Sequence, residues 1–391
     1  MKILMILENT FPPDVRVEKE IKSLIEAGHQ IVLACSSPAS NNDEENWNGA
    51  TIISEKMSRI IYKSSVGCLH FPFYFNFWRK FLKSVFNKYE FDAIHLHDLP
   101  LAKVAKEFST KYKIPFILDL HENRPEIMKM YAHVRKFPGN LIISINLWLK
   151  YQKEYVKLTD KIILITNEAK EHYISTYDVE PSKIMVVPNY VDLSLTNEFS
   201  IDKVILNKYE NKFVIIYFGD TGLRRGTATI IQAANLLKEH KDIHFLIIGR
   251  SRDDENLKKM INELDLTNIE LKGWIPIIKA VSYIEASEIG LCPFLRNIHH
   301  DTTYANKMFQ YMVYGKPIIV SDCASQKNLI EKEECGSVFE AGNAEDLAKK
   351  ILILKQNPRY KELSDNSFKA VINKYNWKNA VKQLITLYQE L

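Results

Sequence analysis

The sequence predicts an α/β protein built as two doubly wound domains with parallel sheets, and three observations carry that expectation. Apolar runs of strand length alternate with amphipathic helical patterns along nearly the whole chain. Its 391 residues are too many for one ordinary domain and comfortable for two, each able to bury its own core. Polar side chains recur just after the apolar runs, at the strand ends where such sheets bind ligands.

The first half opens with a strand at 2–7, an amphipathic helix at 15–27 ended by Gly28, and a second strand at 30–35, a β-α-β unit. Pro12 and Pro13 stiffen the loop between strand and helix, and Asp14 is placed to cap the helix. Arg16, in the first helical turn, can meet an anion there, although an arginine on a solvated helix face is the commoner case. Strands follow at 93–97, 116–120, 161–165 and 184–188. Their carboxyl ends bear His97-Asp98, Asp119-Leu120-His121-Glu122, Thr166-Asn167-Glu168 and Asn189, so polar groups gather along one edge of an apolar sheet. A lone histidine is usually structural, but two at converging strand tips make His121, and less clearly His97, candidates for a site.

Residues 71–91 concentrate aromatics between Arg79, Lys80, Lys83 and Lys88, with Trp78, Phe81, Leu82, Val85 and Phe86 on one helical face. A second basic, aromatic stretch spans 129–157 and includes His133, Arg135, Lys136, Trp148, Lys150 and Lys153. The plain reading is a pair of core helices with basic outer faces. The sharper one is peripheral contact with an anionic membrane surface, aromatics at the headgroup boundary and lysines on lipid phosphate.

In the second half, a strand at 213–218 feeds Gly219-Asp220-Thr221-Gly222-Leu223-Arg224-Arg225-Gly226 and a helix running to 238. A glycine turn with cations at a helix start suits phosphate, though the order of residues is not that of a P-loop. Strands and helices then alternate through 245–250, 254–264, 269–272, 278–286 and 289–293. The stretch 302–322 follows, TTYANKMFQYMVYGKPIIVSD. Met308, Phe309, Met312 and Val313 are spaced as a helix, Gly315 ends it, and Pro317 precedes the strand Ile318-Ile319-Val320. Thr302, Thr303, Asn306, Lys307 and Gln310 crowd the start of that helix, where free N–H groups and the helix dipole favour an anion.

Composition narrows the function. Apolar residues at 46% and charged residues at 26% are globular values, and a net charge of +4 makes wholesale nucleic-acid binding an unexpected role. Cys35, Cys68, Cys292, Cys323 and Cys335 are odd in number and free of any CxxC spacing, as reduced cytosolic thiols would be. Met1 leads straight into a strand without the features of a signal peptide, and the apolar run 141–149 is about half the ~20 residues needed to span a bilayer. The expected location is the cytoplasm, including the inner face of the cell membrane. Adjacent His299 and His300 cannot both face one small ion from a regular element, and no Asp-x-Asp pair is present, so no metal is expected.

Residues 306–312 and 315–319 resemble the PNKLFEYMAxGKPVI segment of retaining family-4 glycosyltransferases, which have the two-domain GT-B fold. Residues 14–20, DVRVEKE, resemble the PPDxRVEKE opening of one branch of that family. Residues 188–192, PNYVD, resemble the PNGVD that ends its first domain, and 375–391 resembles the last helix, which crosses back onto that domain. The resemblance implies an acceptor-binding domain at 1–192, a nucleotide-sugar-binding domain at 193–374 and a crossover helix at 375–391, with the two domains facing across a cleft. Arg225, Arg224 and Lys307 would hold the diphosphate beside Gly219. Thr303, Tyr304 and Asn306 would meet the sugar, Gln310 the ribose, and His121 the reacting sugar face, with Asp14, Arg16 and His97 on the acceptor side. The chain departs from the family pattern at Thr302 and Gln310, where glutamates are usual, and at Asp220, where a basic residue is usual; the suspicion is that Arg224 supplies the charge missing at 220. The implied activity is hexosyl transfer with retention, from a nucleotide-diphosphate sugar to a glycan or lipid-linked acceptor in bacterial envelope polysaccharide synthesis, without cofactor or metal. A sugar-nucleotide 2-epimerase of the same fold and a degenerate binding protein remain as alternatives.

Overall fold

The computed structural model describes residues 1–37, 43–131, 134, 136–137, 139–194 and 200–391. The chain forms two compact units, Met1–Pro188 with Val381–Leu391, and Asn189–Ala380.

The first unit is built on eight strands: β1 Lys2–Leu7, β2 Gln30–Ser37, β3 Asp43–Trp47, β4 Ala50–Lys56, β5 Ala93–His97, β6 Phe116–Asp119, β7 Lys161–Leu164 and β8 Ile184–Val186. They lie in the order β3-β4-β2-β1-β5-β6-β7-β8. All neighbours are parallel except the β3–β4 hairpin. That hairpin is absent from the sequence expectation, because DEENW in β3 has no apolar alternation and lies at the sheet edge. The order in which strands are added reverses between β1 and β5, and because these strands are parallel the carboxyl ends of β1, β5 and β6 stand side by side at the switch point.

The helix Phe73–Lys88 lays Tyr74, Phe75, Trp78, Phe81, Leu82, Val85 and Phe86 into the core, all buried. The helix Ile145–Leu158 does the same with Trp148, Tyr151 and Tyr155. Most of the aromatic side chains of 71–91 and 129–157 are therefore core, as in the plain reading of two core helices; a stripe at helical spacing beside an apolar sheet is buried by it. His133 and Arg135 lie outside the described residues. Among the described residues no helix is long and apolar enough to cross a membrane. All five cysteines are free and buried.

The second unit carries β9 Phe213–Phe218, β10 Ile243–Ile248, β11 Ile269–Gly273, β12 Ile289–Cys292, β13 Ile318–Ser321 and β14 Gly336–Phe339, all parallel, in the order β11-β10-β9-β12-β13-β14. Apolar side chains from alternate positions feed two cores, one on each face. Here the switch point falls between β9 and β12, whose register Gly290↔Ile216 sets their carboxyl ends together. Gly290 is small for a reason: a Cβ there would lie 2.2 Å from the Tyr311 ring, so glycine lets the helix Asn306–Val313 close onto the sheet. Tyr311 in turn accepts a hydrogen bond from the Phe218 N–H at 2.9 Å, tying that helix to the end of β9.

Candidate functional site

In the second unit, the turn after β9 and the start of the helix Asn306–Val313 converge on one cavity of about 300 Å³. Gly219, Asp220, Arg225, Phe294, Tyr304, Asn306, Lys307 and Gln310 contribute to its wall. The turn folds as it does because of its glycines. Gly226 has φ +78°, and a Cβ there would lie 1.7 Å from the Pro293 carbonyl; Gly219 has φ +126° and leaves room for the Lys307 ammonium, which a Cβ would approach to 3.2 Å. Both cations rest on aromatic faces. Lys307 Nζ is 3.4 Å from the centre of the Tyr217 ring, and Arg225 Cζ 4.8 Å from that of Phe294.

Burial controls the charge of these groups. It lowers Lys307 from the usual lysine range to about 7, the Cys292 thiol opposing and Arg225 reinforcing that fall. Arg225 is lowered for the same first reason, with Arg224 second. His300 donates from Nδ1 to the Leu295 carbonyl at 2.6 Å, which turns Nε2 towards Arg225 Nη1 at 3.5 Å. Burial holds His299 and His300 neutral, at about 3 and about 4.

Six of the sequence candidates thus share this cavity: Gly219, Arg225, Tyr304, Asn306, Lys307 and Gln310. Two are placed elsewhere. Arg224 does not replace the charge missing at 220, because its Nη2 is bound to the Asp220 carboxylate at 2.5 Å. Thr303 is buried and donates its hydroxyl to the His299 carbonyl at 2.9 Å, so it faces backbone. Thr302 likewise donates to the Ile298 carbonyl at 2.7 Å. Tyr217 and Phe294 were missed as site residues; each stands at or just past a strand end, which is the signal that could have found them.

The first unit brings together Arg16, His97 and His121, again at strand tips. Asp14 caps the helix Val15–Glu26, accepting from the N–H groups of Arg16 and Val17 at 3.2 and 3.1 Å. Arg16 is neither solvated nor open to an anion. It is buried, donates to Asp119 through Nε and Nη2 and to the Val187 carbonyl through Nη1 at 2.9 Å, and pairs with Glu20 at 3.0 Å. His121 Nε2 lies 3.1 Å from Asp119, and His97 Nδ1 lies 3.3 Å from His121 Nε2. Burial pulls His121 down, but the Asp98 and Asp119 carboxylates outweigh it and lift His121 to about 9. His97 stays neutral, pushed by burial and by His95 to about 3. Glu20, His95, His97 and Asp119 each bring a ligand atom within 4.8 Å of the others, and the Arg16 guanidinium is the cation set against both carboxylates. Towards the sheet edge, Tyr74 donates to Glu8 at 2.9 Å, Arg124 reaches Glu8 at 3.3 Å, and burial with Asp98 raises the carboxyl of Glu122.

Two family models match the chain: residues 198–370 fit one described as glycosyl transferases group 1, and residues 15–195 one described as glycosyltransferase family 4. Among curated proteins, the chain is 22% identical over 238 residues to an uncharacterized glycosyltransferase of Methanocaldococcus jannaschii, an alignment covering 60% of this chain and 59% of that one. It is 27% identical to an uncharacterized glycosyltransferase of Haemophilus influenzae over 55% of this chain and 58% of that one. The chain thus spans less than two thirds of the length of these two relatives. A UDP-Gal:alpha-D-GlcNAc-diphosphoundecaprenol alpha-1,3-galactosyltransferase of Escherichia coli is 22% identical over 79% of this chain and 78% of its own length. In fold, sucrose-phosphate synthase of Thermosynechococcus elongatus superposes with a TM-score of 0.78 at 16% identity, covering 100% of this chain and 98% of the other. Anabaena Alr3699/HepE in complex with UDP gives 0.73 at 13% identity, with 100% of both chains covered.

Two doubly wound parallel-sheet units, the second with a cationic cavity at its switch point, define an α/β protein of GT-B architecture. The chain belongs to family 4 of the glycosyltransferases.

Proposed function

We propose that this protein moves a hexosyl group from a nucleotide-diphosphate sugar to a glycan or lipid-linked acceptor, with retention of anomeric configuration. The observation that carries the reading is the single cavity shared by the turn after β9 and the start of the helix Asn306–Val313, with Arg225 and Lys307 in its wall. The sugar C1–phosphate oxygen bond breaks as the acceptor oxygen bonds to C1, and the acceptor proton passes to the departing diphosphate. Preorganised cations and helix-end amides stabilise that leaving group, so no metal or other cofactor enters the reaction. Asn306 and the amides near Tyr304 meet the sugar and Gln310 the ribose. In the first unit, His121, charged and one fifth exposed, is the residue we assign to the reacting sugar. A lipid-linked acceptor accords with the diphosphoundecaprenol named for the E. coli relative, and the role proposed with it is envelope polysaccharide synthesis at the inner face of the membrane.

Incubation with a panel of sugar nucleotides tests this. Slow release of nucleoside diphosphate, abolished in Arg225→Ala with the fold intact, is the expected result; unchanged nucleotide affinity in that variant overturns the phosphate assignment. A second reading has one observation in its favour. Asp98, Glu122 and Glu8 crowd one strand edge with a raised Glu122, as acid/base chemistry of an epimerase would need. An epimerised sugar nucleotide appearing in the same incubation establishes that reading instead.

A further inference from the structure

The strongest unassigned feature is a pocket of about 430 Å³ in the first unit, on the outer side of the helices that cover its sheet. Its floor is aromatic and fixed. Phe75 and Tyr151 stack with ring centres 6.4 Å apart, and the buried Tyr151 hydroxyl donates to the Pro100 carbonyl at 3.0 Å while accepting from the Lys103 N–H at 2.8 Å. Its rim carries Arg79, Lys103 and Lys150, with the Glu154 carboxylate beside them. Arg79 Cζ and Lys103 Nζ stand 6.0 and 5.9 Å from the centre of the same Phe75 ring, and Lys150 lines the other wall. Arg79 is answered by Glu107 at 2.7 Å, whereas Lys103 and Lys150 have no carboxylate ion-pair partner among the described residues. At the mouth, Phe71 is 48% and Phe73 62% exposed, their rings stacked at 6.5 Å, and the adjoining helix Arg59–Ser64 exposes Ile60 and Tyr62.

A soluble phosphate would account for the cations but not for four large apolar side chains left in water beside them. A lipid surface accounts for both, since aromatic rings favour the headgroup boundary while lysines take up the phosphates. We propose that this pocket docks the protein on anionic phospholipid, with a lipid phosphate between Lys103 and Lys150 and with Phe71 and Phe73 inserted at the interface. The pocket keeps a definite shape because its floor belongs to the core, whereas its mouth is the part of the aromatic stretch that the core leaves out. The assignment is independent of the nucleotide cavity in the other unit.

Flotation of the full chain with vesicles tests it, using phosphatidylcholine alone and phosphatidylcholine mixed with phosphatidylglycerol. Binding to the mixed vesicles only is expected, with a loss of about tenfold or more in both Lys103→Glu/Lys150→Glu and Phe71→Ser/Phe73→Ser. All four positions are exposed, so the variants should keep the wild-type circular dichroism and the wild-type affinity for UDP or GDP. Equal binding to both vesicles, binding to neither, or wild-type binding by the Lys103→Glu/Lys150→Glu protein overturns the proposal. Complete release of vesicle-bound protein by millimolar glycerol phosphate does so too, since it would mark a site for a soluble anion.

Discussion

Arg16 clasps Asp119 from 103 residues away, with Nε at 3.2 Å from one carboxylate oxygen and Nη2 at 3.0 Å from the other, both side chains buried. Glu20, one helical turn after Arg16, lies 3.0 Å from the same guanidinium. A helix start, a strand end and the backbone beyond β8 are thereby locked by one cation. Asp119 is held well below the usual carboxylate range, because Arg16 and His121 overcome the cost of its burial. Glu20 moves the other way, raised by burial with Asp119 beside it and Arg16 opposing.

Removing that cation leaves the buried Asp119 with His121 as its remaining positive neighbour and takes away the main charge that opposes the rise of Glu20. Arg16→Ala should therefore cost about 3–5 kcal/mol of stability, read from the urea midpoint at neutral pH. A loss below about 1 kcal/mol would mean that Arg16 is not the organising charge of this unit.

Asp119 should also govern His121. In Asp119→Asn the imidazole loses one of the two carboxylates that lift it to about 9, so its titration, followed by NMR, should fall towards the ordinary range near 6.5. The linkage has a definite sign. A histidine whose folded value exceeds its unfolded one stabilises the fold fully below about pH 6.5 and loses that contribution as pH rises through about 9. The wild type should thus lose on the order of 2 kcal/mol between pH 6 and pH 9, and Asp119→Asn distinctly less. Identical slopes in the two proteins would remove Asp119 as the residue that sets the charge of His121.

Apart from the β3–β4 hairpin, the strands of both sheets were legible because each is an apolar run bounded by turn chemistry; β5 and β9 begin and end where the pattern says. The cationic cavity of the second unit was legible in part. Glycines at 219 and 226 and cations at 225 and 307 are residue types that a phosphate cradle needs, and the topology brings them together. What Arg16 and Arg224 touch was not legible, because one partner is remote in the chain and the other, Asp220, is a substitution within the turn itself. Periodicity placed Trp78 and Phe81 on a common face, yet it could not tell that Phe71 and Phe73, just before that face begins, stay outside the core.

Lys307 should make nucleotide binding pH-dependent. With its ordinary value lowered to about 7 by burial, the free lysine is largely neutral above that pH, and a diphosphate beside it restores the charge. Binding of UDP or GDP should then take up close to one proton at pH 8, measured by calorimetry in buffers of different ionisation heat. Affinity should fall as pH rises above 7, by at most about tenfold per unit, and Lys307→Met should abolish both effects. Proton release on binding would contradict the placement of Lys307 against the diphosphate.

Gln310 offers the sharpest test of the ribose assignment, since it stands in the cavity wall where the family pattern has glutamate. A carboxylate accepts a hydroxyl hydrogen more strongly than an amide does, so Gln310→Glu should tighten binding of the accepted nucleoside diphosphate about fivefold. At pH 6, where Lys307 is charged in both proteins, the gain should vanish with the corresponding 2′,3′-dideoxynucleotide, because the added charge then has no ribose hydroxyl to meet. The new carboxylate should also raise Lys307 by adding a nearby negative charge, shifting the pH at which affinity begins to fall to a higher value. Tighter binding of ribo- and dideoxynucleotide alike would assign Gln310 to the cation cluster rather than to the sugar.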